Sequence, residues 1–308
     1  MLHYPAAPSS AAPSSAAPSS AAPSSAADDG DPAPSERAPL LTRYLARIGY
    51  TGPVTPTLDV LAALQAAHIA TIPFEAIDAL TGVGIDIGAE AVAAKLIDRR
   101  RGGYCFEQNG LFLRILQAIG FEAEAMLGRV RWMLPDDAPA TPRTHQVVLV
   151  TLDGRPWLAD VGFGAAVPPQ PLALDSEAPQ PTQHEDYRVS RRDFGWEVEA
   201  EIGDAWQTLY RLDAAAAPPI DCVVGNWYTS THPESHFTRQ LVAARTTAEA
   251  RYGLRDNRLT VRLADGRIDR RYLTADEIER TLAEIFLLPV ERSWRPVIER
   301  AATAEIAA

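Results

Sequence analysis

Thr144-His145-Gln146-Val147-Val148-Leu149-Val150-Thr151-Leu152-Asp153-Gly154-Arg155-Pro156-Trp157-Leu158-Ala159-Asp160-Val161-Gly162-Phe163-Gly164 is the stretch on which the fold turns. Two apolar runs flank Asp153-Gly154, a two-residue hairpin signal. With Leu152 opposite Arg155, His145 falls opposite Gly162, and Asp160 falls opposite Val147. Side chains alternate between the faces of a strand, so His145 and Asp160 share a face. They are diagonal neighbours, roughly 7–8 Å apart between backbones, a span these side chains bridge. An aspartate that reaches a histidine orients the imidazole and stabilises its cation. A three-residue loop would reverse the parity and separate the pair.

The strand period continues on both sides. Residues 123–130, 145–152, 156–161, 187–190, 196–201 and 206–212 read as strands, punctuated by Asp193-Phe194-Gly195 and Gly203-Asp204 as well as Asp153-Gly154. This predicts an all-β unit, a small barrel or sandwich. A break is expected at 214–219. Beyond it, 257–264 and 267–273 flank an Asp265-Gly266 turn, and Thr274 with Glu277 forms a capping box for a last helix to about Leu287.

Upstream the period is helical. Leu41, Leu45 and Ile48 precede the stop Gly49, and Thr57 caps a second helix carrying Leu58, Leu61, Leu64 and His68. Ile72-Pro73-Phe74-Glu75 interrupts it, and residues 89–98 read as a third helix. A basic glycine loop, 99–103, then leads to Cys105, which opens an apolar helix ending at Gly120. A thiol at a helix N-terminus feels the positive end of the dipole, which favours its thiolate. The unpaired N–H groups of the same turn suit an oxyanion. A free cysteine taken alone is more often a small buried hydrophobe. Here Cys105, His145 and Asp160 satisfy nucleophile, base and orienter in chain order.

The 308 residues carry 29 Lys+Arg against 40 Asp+Glu, a net charge of −11. That disfavours nucleic acid and anionic membrane as partners. No apolar run approaches the roughly 18 residues of a membrane span. Two cysteines, Cys105 and Cys222, exclude a disulfide scaffold and a four-cysteine zinc site. Residues 6–27 repeat Ala-Ala-Pro-Ser-Ser, followed by an acidic, proline-rich stretch. Residues 1–38 therefore read as a disordered tail, without a secretory or transit signal, and cytoplasm is the default location. His68 reads as a satisfied core residue and His184 as a solvated loop residue. His232 and His236 have a ligand spacing broken by Pro233, so no metal is expected. Cys222 reads as structural. The organisation expected is a helical unit at 39–120, a β unit at 121–218 and a connecting segment with a small α+β unit at 219–308.

Arg101-Gly102-Gly103-Tyr104-Cys105-Phe106-Glu107-Gln108-Asn109 resembles the RGGxCxExN signature of the arylamine N-acetyltransferases. Ile72-Pro73-Phe74-Glu75 resembles that family's IPFEN motif, although Ala76 stands where asparagine is usual. Thr144-His145 and Asp160-Val161-Gly162-Phe163-Gly164 resemble its histidine and DxGFG segments. The resemblance covers about residues 38–295. It implies an α+β fold of N-terminal helical bundle, central β-barrel and C-terminal α/β lid, with a cysteine-protease-like Cys-His-Asp core. It implies Cys105 as nucleophile, His145 as base and Asp160 as orienter, with Phe74 and Phe163 at an aromatic acceptor pocket. It further implies a ping-pong reaction. Acetyl-CoA acetylates Cys105, and an arylamine, arylhydrazine or N-hydroxyarylamine takes the acetyl group. Acetyl-CoA is then a substrate, with no permanently bound cofactor.

The same three residues would serve a macrolactam-forming amide synthase on this fold, or a transglutaminase-like cysteine hydrolase. A non-enzymatic binding module would leave Cys105 with ordinary thiol reactivity.

Overall fold

A computed structural model describes residues 39–203 and 205–305. The tail expected at 1–38 lies outside the described residues. Helix α1 (Leu40–Ile48) ends at Gly49 in the left-handed region, φ 68°. Helix α2 (Leu58–Thr71) is capped by Thr57, whose side chain accepts from Val60 N. Its buried face is Val60, Leu61, Leu64, Gln65, His68 and Ile69, while Leu58, expected on that face, is exposed. Strand β1 (Phe74–Glu75) and helix α3 (Ile77–Thr81) follow. The helix expected at 89–98 divides into α4 (Ala89–Ala93) and a π-helical turn, Ala94–Asp98, that carries Lys95. Helix α5 (Cys105–Ile119) begins on the cysteine and stops at Gly120, φ 104°. Its Leu111, Phe112, Ile115 and Leu116 enter one core with α1, α2 and the inner residues Val148, Val150 and Ala159.

The central sheet has seven strands: β2 (Glu122–Val130), β3 (Arg143–Leu152), β4 (Arg155–Ala159), β5 (Leu172–Ala173), β6 (Tyr187–Arg192), β7 (Gly195–Ile202) and β8 (Ala205–Ala216). Their order is β5-β4-β3-β2-β8-β7-β6, and every pairing is antiparallel. Gln180 links the two edges: its backbone pairs with Tyr187 and its side chain bonds both backbone groups of Ala173. The sheet is thus a nearly closed barrel, filled by Met126, Val147, Leu158, Val189, Val198 and Leu212. The β3–β4 register is Leu152 opposite Arg155 through Val148 opposite Ala159, as the two-residue turn requires.

Strand β8 runs three residues into the break expected at 214–219. Helix α6 (Pro219–Thr231) then starts with proline in its first turn, a position that wastes no hydrogen bond. A second sheet, β1-β9-β10-β11-β12, contains β9 (Val242–Thr246), β10 (Ala250–Arg255), β11 (Arg258–Leu263) and β12 (Ile268–Tyr272). Helix α7 (Ala275–Glu284) carries the expected Thr274–Glu277 capping box and ends three residues before Leu287. Helix α8 (Arg295–Ala302) is an addition to the sequence reading. Ile278, Leu282, Phe286, Trp294 and Ile298 cover the second sheet. Strand β1 joins this sheet by pairing Phe74 with Ala244, so a residue beside the loop that leads to Cys105 belongs to the C-terminal sheet.

Candidate active site

The start of α5 is built by two motifs that lock together. Gly103 bridges Phe74 in parallel, Glu75 N donates to Gly103 O at 3.0 Å, and Gly103 N donates to Pro73 O at 3.3 Å. A Cβ on Gly102 would collide with Pro73 O, so the two chains approach this closely only with glycine there.

Behind the loop lies a buried charge cluster. Lys95 Nζ stands 2.7 Å from both Glu107 Oε1 and Asp78 Oδ2. Arg101 donates to Glu75 Oε1 through Nε at 3.1 Å and Nη2 at 2.8 Å, and to Asp78 Oδ1 at 2.8 Å. Its guanidinium also sits 4.5 Å from the Trp294 ring centroid, a cation–π contact. Burial opposes the Lys95 charge, but Glu75, Glu107 and Asp78 outweigh it and hold the amine above its ordinary range. Burial pushes the Glu107 carboxyl up to about 7, against the pull of Lys95. Glu107 Oε2 accepts from Tyr104 N at 3.1 Å and so closes the helix start from which Cys105 projects.

Cys105 is 4% exposed, and its Sγ donates to Thr144 O at 3.4 Å. His145 Nε2 lies 2.7 Å from Asp160 Oδ2, and Cys105 on the neighbouring helix start also favours the charged ring. Burial works against the imidazolium. The Asp160 charge and hydrogen bond, with Cys105 nearby, overcome it and push His145 up to about 10. The Asp160 pairing therefore favours the imidazolium over the neutral ring. Asp160 Oδ1 accepts from Asn109 Nδ2 at 2.9 Å and Gly162 N at 2.8 Å, while Oδ2 also accepts from the Tyr210 hydroxyl at 3.0 Å. Burial alone would raise this carboxyl; the His145 charge and these donors hold it below the usual range.

Asn109 sits one turn beyond Cys105. Its Nδ2 also donates to Gln146 O at 2.6 Å, and its Oδ1 accepts from Val161 N at 2.9 Å. One side chain thus ties the helix of Cys105 to the strand of His145 and to the segment of Asp160. A Cβ on Gly162 would stand 2.7 Å from Cys105 Cα and 2.8 Å from Asn109 Nδ2.

The structure brings Cys105, His145 and Asp160 together where α5 meets the barrel, with Cys105 hydrogen-bonded to the carbonyl next to His145 and His145 hydrogen-bonded to Asp160. Phe163 lies against His145 with ring centroids 4.9 Å apart, and Tyr210 touches both rings at 4.7 and 4.9 Å. Phe74 belongs to the apolar cluster of Tyr104, Cys105, Phe106 and Cys222, and packs on Phe237 at 5.9 Å. Tyr210 and the charge cluster lay outside the sequence reading, and Asn109 was quoted there without a role. Two signals pointed to the cluster: Lys95 is the single lysine of the chain, and Glu107 follows the cap position Tyr104 by three residues. Of the basic loop, Arg99 and Arg100 are exposed and Arg101 turns inward.

The other histidines differ in kind. His68 is buried between the Tyr44 hydroxyl and Gln108, and burial lowers it to about 4. His184, expected to be solvated, is half-buried and hydrogen-bonds Thr247 O at 2.8 Å. His232 stacks on Tyr228. Among the described residues no three of His, Cys, Asp and Glu are grouped as metal ligands would be, and no helix is long and apolar enough to cross a membrane.

The N-acetyltransferase family model matches residues 57–295. An arylamine N-acetyltransferase of Mycobacterium tuberculosis is 45% identical over 249 residues, covering 80% of this chain and 88% of that protein. The solved structure of the arylamine N-acetyltransferase from M. tuberculosis superposes with a TM-score of 0.81 at 42% identity, covering 85% of this chain and 99% of that one. The Mycobacterium marinum arylamine N-acetyltransferase in complex with CoA superposes with a TM-score of 0.80 at 41% identity, covering 85% and 98%. Matches of this extent show that the chain belongs to the arylamine N-acetyltransferase family of acyltransferases.

Proposed function

We propose that the chain moves an acetyl group from acetyl-CoA to the nitrogen of an arylamine or arylhydrazine, or to an N-hydroxyarylamine, through an acetyl thioester on Cys105. The observation that carries this reading is the buried His145–Asp160 pair at 2.7 Å, set against the helix start that bears Cys105, a pairing that favours the imidazolium. The Cys105 thiolate attacks the acetyl carbonyl carbon. The first N–H groups of α5 lack intrahelical partners and face the developing oxyanion. Collapse of the adduct breaks the bond to CoA sulfur, and the leaving thiolate takes the proton from His145. The neutral imidazole then removes a proton from the amine as its nitrogen attacks the thioester. Cys105 leaves as thiolate, and His145 is again an imidazolium. Asp160 stabilises that cation in both halves.

Phe163 and Phe74 form the aromatic walls for a flat acceptor, one against His145 and the other in the cluster around Cys105. The helical segment 39–120 supplies the nucleophile and 121–218 the base and acid, with 219–308 closing the site. Initial rates over a grid of acetyl-CoA and aromatic hydrazine concentrations test the order of events. Parallel double-reciprocal lines are expected. Lines that intersect would mean a ternary complex and contradict the acetyl-cysteine route.

A further inference from the structure

Gln108 lies on α5 three residues beyond Cys105 and is wholly buried. Its carboxamide sits where the 72–75 segment meets the loop before the thiol. Nε2 faces three carbonyls: Pro73 O at 2.8 Å, Gly103 O at 3.2 Å and Ile72 O at 3.4 Å. Three acceptors around one atom require a donor there, which fixes the two ends of the amide. Oε1 points the other way, to His68 Nε2 at 2.5 Å. Because Oε1 only accepts, that imidazole nitrogen donates, and Nδ1 is left to accept from the Tyr44 hydroxyl at 2.9 Å. Burial favours the neutral ring that this arrangement needs. Phe112 packs edge-on against the same ring, with centroids 5.6 Å apart. The Gln108 amide is thus braced from behind by α1 and α2.

The thiol and Phe74 do not depend on this amide equally. The start of α5 has restraints of its own. Glu107 Oε2 accepts from Tyr104 N, Cys105 Sγ donates to Thr144 O, and Asn109 is bonded to Gln146 O and Asp160. Phe74 opens a strand of two residues and follows a proline, which has no N–H to give. Without the amide, Pro73 O keeps only the longer bond from Gly103 N at 3.3 Å, whereas Gly103 O keeps the bond from Glu75 N at 3.0 Å. Loss of Gln108 therefore loosens the approach to Phe74 and leaves the cap of the Cys105 helix in place.

We propose that Gln108, braced by His68, is a positioning residue that sets where the Phe74 wall stands relative to Cys105, and that it acts on the acceptor half of the reaction and not on the donor half. This rests on the acetyl-transfer reading above, in which Phe74 walls the acceptor. The two halves can be measured apart. In a ping-pong reaction kcat/KM for acetyl-CoA reports the acetylation of Cys105, and kcat/KM for the amine reports its discharge. A smaller folded fraction lowers both by one factor, so their ratio separates positioning from loss of structure. Gln108→Met keeps the length of the side chain without the amide. The expected result is a fall of about tenfold or more in kcat/KM for an aromatic hydrazine, with kcat/KM for acetyl-CoA changed by less than about threefold. His68→Leu is expected to move the ratio in the same direction and to add little in the Gln108→Met background, since one residue acts through the other. If Gln108→Met does not fold, Gln108→Glu takes its place, because it keeps an acceptor for His68 but offers the carbonyls no N–H. An unchanged ratio would overturn the proposal, as would a fall confined to acetyl-CoA. Transfer by the unaltered chain together with either result would count against Gln108 alone. No transfer by the unaltered chain would overturn the proposal along with the reading it rests on.

Discussion

Asn109 Nδ2 donates to Asp160 Oδ1 at 2.9 Å, so the helix that presents the thiol and the segment that presents the acid share one side chain. Asp160 accepts four hydrogen bonds in all, from His145, Asn109, Gly162 N and Tyr210. A buried carboxylate with its acceptor sites filled is fixed in orientation, and the imidazole bonded to it is fixed as well. The triad geometry is therefore a property of the junction between α5 and the barrel.

Asp160→Asn keeps the size of the side chain but removes the charge that favours the His145 imidazolium. Acetyl transfer is expected to fall by about 10³-fold or more, with the far-UV spectrum unchanged. Activity within a few-fold of the unaltered chain would remove Asp160 from the mechanism.

The same pair makes stability depend on pH. His145 has an ordinary value of 6.5 and stands at about 10 in the folded chain. Folding thus favours its protonated form. That contribution is present in full below the unfolded value and is lost as pH rises through the folded one. Melting temperature is expected to decline between pH 7 and 10, and the decline is expected to be shallower in Asp160→Asn. Parallel curves for the two proteins would contradict the assignment.

Gly162→Ala places a methyl group 2.7 Å from Cys105 Cα. Backbone there cannot yield as a flexible side chain can, so the start of α5 must move. The variant is expected to lose activity by about 10²-fold, because misplacing a nucleophile by about 1 Å has that scale of effect. Turnover close to that of the unaltered chain would show that the contact has room to relax.

The hairpin was the most legible part of the sequence. Asp153-Gly154 set the parity, and the observed pairing of Val148 with Ala159 follows from it. The helix ends at Gly49 and Gly120 and the Thr57 and Thr274 caps were equally legible, because each depends on a few adjacent residues. What escaped depends on distant partners. The π-helical turn at Ala94–Asp98 has no local signal and turns Lys95 inward to Glu107 and Asp78. Strand β5 is two residues long, and β1 pairs with β9 from the far side of the chain. Tyr210 reaches Asp160 across 50 residues, a contact no periodicity encodes.

Lys95→Met tests the charge cluster. Removing the amine leaves Arg101 paired with Glu75 and Asp78 and leaves Glu107 without its buried cation. Breaking a buried pair by deleting one partner costs about 3–5 kcal/mol. Denaturant unfolding is expected to register a loss of that size, together with lower activity, since Glu107 closes the helix start at Tyr104. A loss under about 1 kcal/mol would mean that the cluster is solvated or rearranges.

The central claim is that Cys105 carries the acetyl group. The direct measurement is peptide mass analysis after acetyl-CoA is added without acceptor, and again after an aromatic hydrazine is added. One acetyl group on the peptide containing Cys105 is predicted, with its disappearance matched by acetylated hydrazine, and neither in Cys105→Ala. Product formed by Cys105→Ala, or acetyl-hydrazine formed while Cys105 stays unmodified throughout, would contradict the account.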